Sequence, residues 1–500
     1  MLPATAREAA RRFDDRTAYV TPQGWSLSYR DVDRLSDEVA VGLARRRVGR
    51  GDVVALALPP GAEYLLGYLA AAKLGAITAG VNTRLTASER GVVIERADPR
   101  FALTTPDTAT DACASEVVAD ADDISGCLAG LRVPGAAPPV IKASPDDPVA
   151  IVFTSGTTGA PKGALYCHRQ LAFITHTDVG EGWGGGTRTC AGTSFAHVGV
   201  MTKLEGSLRR GSTTFIMQRW SAEESLRLLA AERMTSTGGV PTQLALMLRH
   251  PDFDRFDLSS VQFIVVGGGP VTPGLAEEAR ARFDAQLATR YSCTEAGIGL
   301  GTAFDDPPED AIESVGRPHA AVDLAVLDDD DRPVTPGDVG AVCLRSPAVM
   351  ARYWRDPEAT AAAFTADGFV RTGDVGFVDD LGRLRLAGRT KEMYVRGGYN
   401  VYPVEVEAVL SRAPGVAGIA LAPRANPVMG EIGVAVVVPT DPNRPPSLAS
   451  LREHGRRHLA AYKLPEALVV AAELPLTAME KLDRSALARR VSTEPDADVS

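Results

Sequence analysis

Long apolar runs are missing from this chain. The most apolar stretch, Leu65 to Val81, is interrupted by Lys73 and Gly75 and is too short to cross a bilayer. A secretory leader is not visible either: Met1-Leu2-Pro3 is soon followed by Arg7, Arg11 and Arg12, with no apolar core between them. Cysteine is scarce, at six in 500 residues and with no CxxC pair, which excludes a disulfide framework and a cysteine zinc site. Those cysteines read as reduced, mostly buried thiols, and a cytoplasmic protein is expected. There is no excess of positive charge: 53 basic residues stand against 63 acidic ones, for a net charge of −10. Broad, charge-driven nucleic-acid binding is therefore excluded. Internal repeats are absent.

What is present is material for large cores. The chain is 45% hydrophobic, and its length exceeds one ordinary domain of about 100–200 residues, so two or more folding units are expected. Short apolar runs alternate with segments of helical period. Val53–Leu58 reads as a strand, Leu65–Lys73 as a helix and Ala76–Ala79 as a strand, a pattern that predicts α/β layers around parallel sheets. Ile151–Phe153 and Val261–Val266 repeat the strand signal, and each leads into a Gly-rich turn, where α/β proteins hold ligands. Asp107 to Asp147, rich in Ala, Asp and Pro, reads as a surface connection. Near Asp374 the texture changes to short β-like runs and charged turns. Pro403 then opens a helix through Leu410, Gly433–Val438 reads as a buried strand, and Leu448–Ala460 as a helix. These elements make a small α+β domain. The boundary is placed at Arg389–Lys391, and Val491–Ser500 reads as a frayed polar tail.

The chemistry is concentrated in Thr154-Ser155-Gly156-Thr157-Thr158-Gly159-Ala160-Pro161-Lys162-Gly163, directly after a strand. Three glycines let backbone N–H groups approach an anion, and four hydroxyls and a lysine add donors, which is the composition of a phosphate cradle. It is not a Walker A loop, because Pro161 stands where that pattern needs glycine and Gly163 where it needs Ser or Thr. Three other patterns are set aside. Gly192–Ala196 ends in alanine where a nucleophile elbow needs glycine. Gly297-Ile298-Gly299-Leu300-Gly301 lacks dinucleotide spacing. The run Asp328–Asp331 reads as a solvated turn.

The loop resembles the signature of the adenylate-forming superfamily of acyl-CoA synthetases, peptide-synthetase adenylation domains and luciferases. Further segments agree in order: Leu27–Val32, Gly51–Leu56, Lys73–Ala76, Asn82–Leu85, Tyr291-Ser292-Cys293-Thr294-Glu295, Thr372-Gly373-Asp374, Gly388–Glu392, Gly397–Pro403, Tyr462–Pro465 and Leu474–Lys481. The resemblance is greatest to fatty-acyl and aryl-CoA ligases. It implies a large N-terminal domain (1–388) with the ATP and acyl pockets, a hinge (389–391) and a mobile C-terminal domain (392–490) before a tail (491–500).

The resemblance also implies the reaction: ATP and a carboxylic acid give an acyl adenylate and pyrophosphate, and CoA then displaces AMP. Thr154, Ser155, Gly156, Thr157, Thr158, Gly159 and Lys162 would hold phosphate, and Thr154 and Glu295 Mg2+. Gly267, Gly268, Gly269 and Pro270 would wall the adenine, followed by Tyr291, Ser292, Cys293 and Thr294. Asp374 and Arg389 would take the ribose. Lys481 would stabilise the charge formed in adenylation, Lys391 would act as the hinge, and Gly397 and Gly398 would enter for the thiol step. His197, in Phe195-Ala196-His197, would flank the acyl pocket. A fatty or aromatic acid is expected, since no acidic constellation for an α-amino group stands near Ala191–Gly199. Two residues depart from the pattern: Glu480 replaces the glycine common before the lysine, and Tyr399 the glutamate common after Gly397-Gly398. They leave other acceptors open (a carrier-protein thiol, an amine or another nucleophile), as well as a weakly catalytic nucleotide-binding homologue. A homodimer is also left open.

Overall fold

The computed structural model describes residues 1–154, 161–477 and 480–493. The chain forms two compact units. The first is Met1–Thr235 with Cys293–Ile298 and Ser346–Phe364, and the second is Ser236–Ser292, Gly299–Arg345 and Thr365–Ser500.

The first unit is built on a seven-stranded sheet with the order Arg352–Tyr353, Gly163–Cys167, Pro148–Phe153, Ile77–Gly80, Val53–Ala57, Phe101–Thr104, Ala114–Val117. The last five run parallel, and the first two are antiparallel additions at one edge. Val53–Ala57 is buried throughout, as a strand covered on both faces must be. The helix Ala62–Lys73 is buried everywhere except at Glu63, so the apolar stretch noted in the sequence is a core helix followed by a core strand. Lys73 ends that helix with its side chain fully buried, held by Asp33 at 2.6 Å and Asp37 at 2.7 Å. Both carboxylates belong to the helix Tyr29–Arg45, which begins with a capping box: Ser28 Oγ accepts from Asp31 N–H, and Asp31 accepts from Ser28 N–H. Two of the recognised segments, Leu27–Val32 and Lys73–Ala76, are thus a helix cap and a buried ion bridge. A four-stranded sheet (Ser26–Ser28, Thr17–Val20, Thr213–Ile216, Arg188–Ala191) completes this unit's strands.

The second unit holds a five-stranded sheet, Ser236–Gly239, Phe263–Gly267, Gln286–Tyr291, Leu300–Gly301 and Arg317–Pro318, parallel across its first three strands. An antiparallel sheet follows: Asp323–Leu327, Gly340–Arg345, Val370–Val378, Leu384–Arg389. The fold is therefore α/β with mixed sheets, where the sequence pattern predicted mainly parallel ones.

A separate C-terminal domain follows within the second unit. The long hairpin Val416–Asn426/Gly430–Pro439 pairs with Tyr394–Arg396 and Ala467–Val470. Its two faces carry separate buried clusters, one around Tyr394, Val406, Leu410 and Leu468, the other around Val434, Val436, Leu487 and Val491. The helix Pro403–Leu410 lies where proline placed it.

Three expectations are corrected. The helix predicted over Leu448–Ala460 stops at Gly455, where the N–H of His458 turns back to the Gly455 carbonyl in a tight turn. The connection Asp107–Asp147 contributes an edge strand, Ala114–Val117, almost wholly exposed and so without alternation to reveal it. Val491, expected to open a frayed tail, is fully buried in the helix Arg484–Thr493, and 494–500 lie outside the described residues. Among the described residues no helix is long and apolar enough to cross a membrane, and none of the six cysteines is in a disulfide. Asp328 accepts from the N–H groups of Asp330 and Arg332, both at 2.9 Å, which makes the acidic run a closed turn.

Candidate active site

The signature loop is the connection of a hairpin. Pro148–Phe153 and Gly163–Cys167 pair antiparallel, with Phe153 opposite Gly163. At the mouth of the loop, Thr154 N–H donates to the Lys162 carbonyl at 2.9 Å and Lys162 N–H to Thr154 Oγ1 at 3.3 Å. A strand follows the loop where a Walker A loop is followed by a helix, in keeping with the sequence distinction. Gly163 is needed for packing: a Cβ there would stand 2.6 Å from Ile151 Cγ2 and 3.2 Å from the Phe153 ring. Ser155, Gly156, Thr157, Thr158 and Gly159 lie outside the described residues.

Tyr353 joins the loop lysine to the candidate metal ligand. It sits on the two-residue edge strand beside Gly163–Cys167. The Lys162 ammonium stands 5.2 Å from the centre of its ring, within cation–π range. Its hydroxyl donates to Glu295 Oε1 at 2.7 Å. Burial first, and then the Glu295 carboxylate, push the Tyr353 phenol far above its ordinary pKa, so it stays a donor. Glu295 is also anchored through its carbonyl, which accepts Met350 N–H at 2.8 Å, and the buried Tyr166 hydroxyl donates to the Thr294 carbonyl at 2.6 Å. Cys293 is half-buried and opens the tight turn that carries Glu295. The Thr154 hydroxyl and the oriented Glu295 carboxylate are hard oxygen donors that fit Mg2+, an ion that takes few protein ligands and keeps water and phosphate in its shell.

His197 caps the four-residue helix Val198–Met201, its Nδ1 accepting from Gly199 N–H at 3.3 Å. The adjoining Phe195 meets the Tyr64 ring edge-on at 5.8 Å.

The remaining candidates belong to the second unit, and the segment Tyr291–Glu295 is divided after Ser292. Asp374, 7% exposed, is gripped at both oxygens: Tyr291 Oη donates at 2.7 Å to Oδ2, and Arg389 Nε at 2.9 Å to Oδ1. Asp374 and Arg389 face each other across paired strands, which is why residues 15 apart meet. Thr372 Oγ1 receives the Asp374 N–H at 3.1 Å and donates to the Val342 carbonyl.

Gly267–Pro270 leaves the end of the strand Phe263–Gly267. Lys481 lies against this turn: a Cβ on Gly268 would be 3.6 Å from Lys481 Cε and 3.7 Å from its Nζ. Glu480, just before it, has a φ of 60°. This is the left-handed region that explains the family's usual glycine, and it costs other residues about 1–2 kcal/mol. Glu480 Oε2 accepts from Gln243 Nε2 at 2.5 Å. Gly397 and Gly398, with φ of 55° and 88°, form the two-residue turn between Tyr394–Arg396 and Tyr399–Val401. A type I′ hairpin demands such angles at both positions, so structure alone accounts for these glycines. Tyr399 stacks on Tyr462, with centroids 4.6 Å apart. Lys391 is exposed in the turn after Leu384–Arg389.

The structure thus groups Thr154, Lys162 and Glu295 in one unit, and Tyr291, Asp374, Arg389, Gly268 and Lys481 in the other. Sequence reasoning missed Tyr353 and Gln243. The only trace of Tyr353 was an aromatic pair, Tyr353-Trp354, between two arginines. Gln243, inside an apolar helix, left no trace.

Comparison with known proteins identifies the family. A family model described as AMP-binding enzyme matches residues 6–354, and one described as AMP-binding enzyme C-terminal domain matches residues 405–481. The chain is 33% identical to an indoleacetate–CoA ligase of Aromatoleum aromaticum, over 91% of each chain. It is 31% identical to the long-chain-fatty-acid–CoA ligase FadD13 of Mycobacterium tuberculosis, over 95% of each. Among solved structures, the amide bond synthetase McbA of Marinactinospora thermotolerans superposes with a TM-score of 0.86 at 26% identity, over 98% of this chain and 100% of that one. With its loop hairpin, its carboxylate-held arginine and its C-terminal lysine, this chain belongs to the AMP-binding, adenylate-forming enzyme family.

Proposed function

We propose that this protein is an ATP-dependent carboxylic acid–CoA ligase acting on a fatty or aromatic acid. In the first half-reaction a carboxylate oxygen bonds to the α-phosphorus of ATP and the bond to pyrophosphate breaks. In the second, the CoA sulfur bonds to the acyl carbon, the thiol loses its proton, and AMP leaves.

The observation that carries this reading is Lys481 against Gly268. The ammonium stands at the carboxyl end of a parallel strand, a usual nucleotide position, where a fixed positive charge stabilises the negative charge growing on the α-phosphate. Asp374 is pinned at both oxygens, yet a carboxylate offers about four lone-pair sites, which leaves capacity for the ribose hydroxyls. Arg389 adds a positive charge beside it. Lys162 and the loop Thr154–Gly159 hold the β- and γ-phosphates. Thr154 and Glu295 would hold Mg2+, which neutralises charge on the triphosphate. His197 borders the acyl chain. Residues 389–391 act as the hinge on which the domain 392–490 turns between half-reactions, bringing the Gly397–Gly398 turn to the thiol. We assign the enzyme to the cytoplasm, where its thiols remain reduced.

Pyrophosphate release from ATP and Mg2+ across an acid panel, with and without CoA, tests the reading, with products identified by mass spectrometry. Acyl-CoA is the expected product. Acyl-AMP that accumulates while CoA stays inert would move the acceptor to an amine or a carrier-protein thiol, a reading favoured by the exposed Tyr399 on the thiol-side hairpin. No pyrophosphate with any acid would leave a nucleotide-binding protein without ligase activity.

A further inference from the structure

Glu480 is held in a backbone conformation that a glutamate does not favour, directly before Lys481 in the chain. Strained conformations persist where the surroundings over-determine them. The over-determination here is specific. Gln243, 1% exposed, spends its side-chain amide at both ends: Oε1 accepts Val240 N–H at 3.1 Å, and Nε2 donates to Glu480 Oε2. The first bond secures the start of the helix Pro241–Leu248, and the second fastens the segment that carries Lys481 to that helix. Pro241 of the same helix flanks the Gly267–Pro270 turn, 3.5 Å from where a Cβ on Gly269 would stand. Lys481 is braced from its other side as well. Thr477 N–H donates to its carbonyl at 2.7 Å, and its own N–H donates to Thr477 Oγ1 at 3.3 Å.

We propose that Gln243 and Glu480 form a latch that positions Lys481 for adenylate formation and opens before the thiol step. Gln243 is a positioning residue: it acts through Glu480 on the lysine. A glycine at 480 would relieve the backbone without supplying any bond to the helix, so this chain has exchanged a relaxed backbone for a side-chain tether. The inference rests on the role given to Lys481 under the ligase reading.

The test separates the half-reactions in three proteins: the unaltered chain, Gln243→Glu, and the exchange Gln243→Glu with Glu480→Gln. Glutamate at 243 keeps an acceptor for Val240 N–H but opposes a second carboxylate to Glu480. The exchange restores one donor facing one acceptor. Pyrophosphate release in the absence of CoA should fall on the order of tenfold in Gln243→Glu, as expected for losing a hydrogen bond to a charged group. The KM for ATP should stay within about twofold, and thioester formation from supplied acyl-AMP should be undiminished. The exchange should recover pyrophosphate release to within about threefold of the unaltered chain. Unchanged release in Gln243→Glu, equal loss in both half-reactions, or an exchange no better than the single variant would overturn the latch. If the unaltered chain releases no pyrophosphate with any acid, the ligase reading falls and the latch with it. If it ligates normally and only the variants fail to respond, the latch alone falls.

Discussion

His168 is 3% exposed at the start of the helix His168–Val179, and its Nδ1 has no hydrogen-bond partner among the described residues. Burial holds its pKa below the ordinary 6.5, with Asp147 and Glu205 pulling the other way. The sign follows from that depression. The folded chain keeps the ring neutral while the unfolded chain protonates it, so its contribution to stability is complete above about pH 6.5 and is lost as the pH falls below it. The Tm of the protein should drop by a few degrees between pH 7.5 and 5.5, and by less in His168→Gln. Parallel curves for the two proteins would contradict this. The candidate-site residues show how much of the site was legible. Asp374, Arg389 and Tyr291 could each be named from the short segment that carries it, but their contacts with one another could not: Asp374 meets Arg389 only across paired strands, and Tyr291, 83 positions away, only through the packing of separate sheets.

Elements were read best where a local rule acts alone. Proline opening Pro403–Leu410 starts a helix without outside help. The edge strand Ala114–Val117 could not be read, since its residues are exposed and only the neighbouring strand makes it β. The helix Arg484–Thr493 was not read at all, and its attachment explains why it is ordered. Arg484 forks onto Glu407, a residue 4% exposed that also accepts Leu421 N–H at 2.7 Å, while Leu487 and Val491 enter the core. Removing the guanidinium strands a buried carboxylate. Arg484→Ala should therefore destabilise the C-terminal domain by about 3 kcal/mol, measured by denaturant unfolding. A loss below about 1 kcal/mol would mean that the pair is solvated in practice.

At the scale of the whole molecule, the C-terminal domain has its own sheet and two cores of its own. Lys391 lies in the exposed turn that leads into it. Proline there fixes one backbone angle, so Lys391→Pro should leave pyrophosphate release within about threefold of the unaltered chain and slow thioester formation on the order of a hundredfold. The comparison is single-turnover pyrophosphate release against acyl-CoA formation from supplied acyl-AMP. Equal loss in both would remove the hinge. The sequence by itself determined the family and where the signature loop lies in the chain, because those depend on short segments whose residue types suit one task. Only the tertiary structure decided that Tyr353 ties Lys162 to Glu295, that Tyr291 grips Asp374, and that Gln243 fastens Glu480. Each of these contacts joins residues from 58 to 237 positions apart or from different strands, and no local pattern encodes a partner that only packing brings within hydrogen-bond distance.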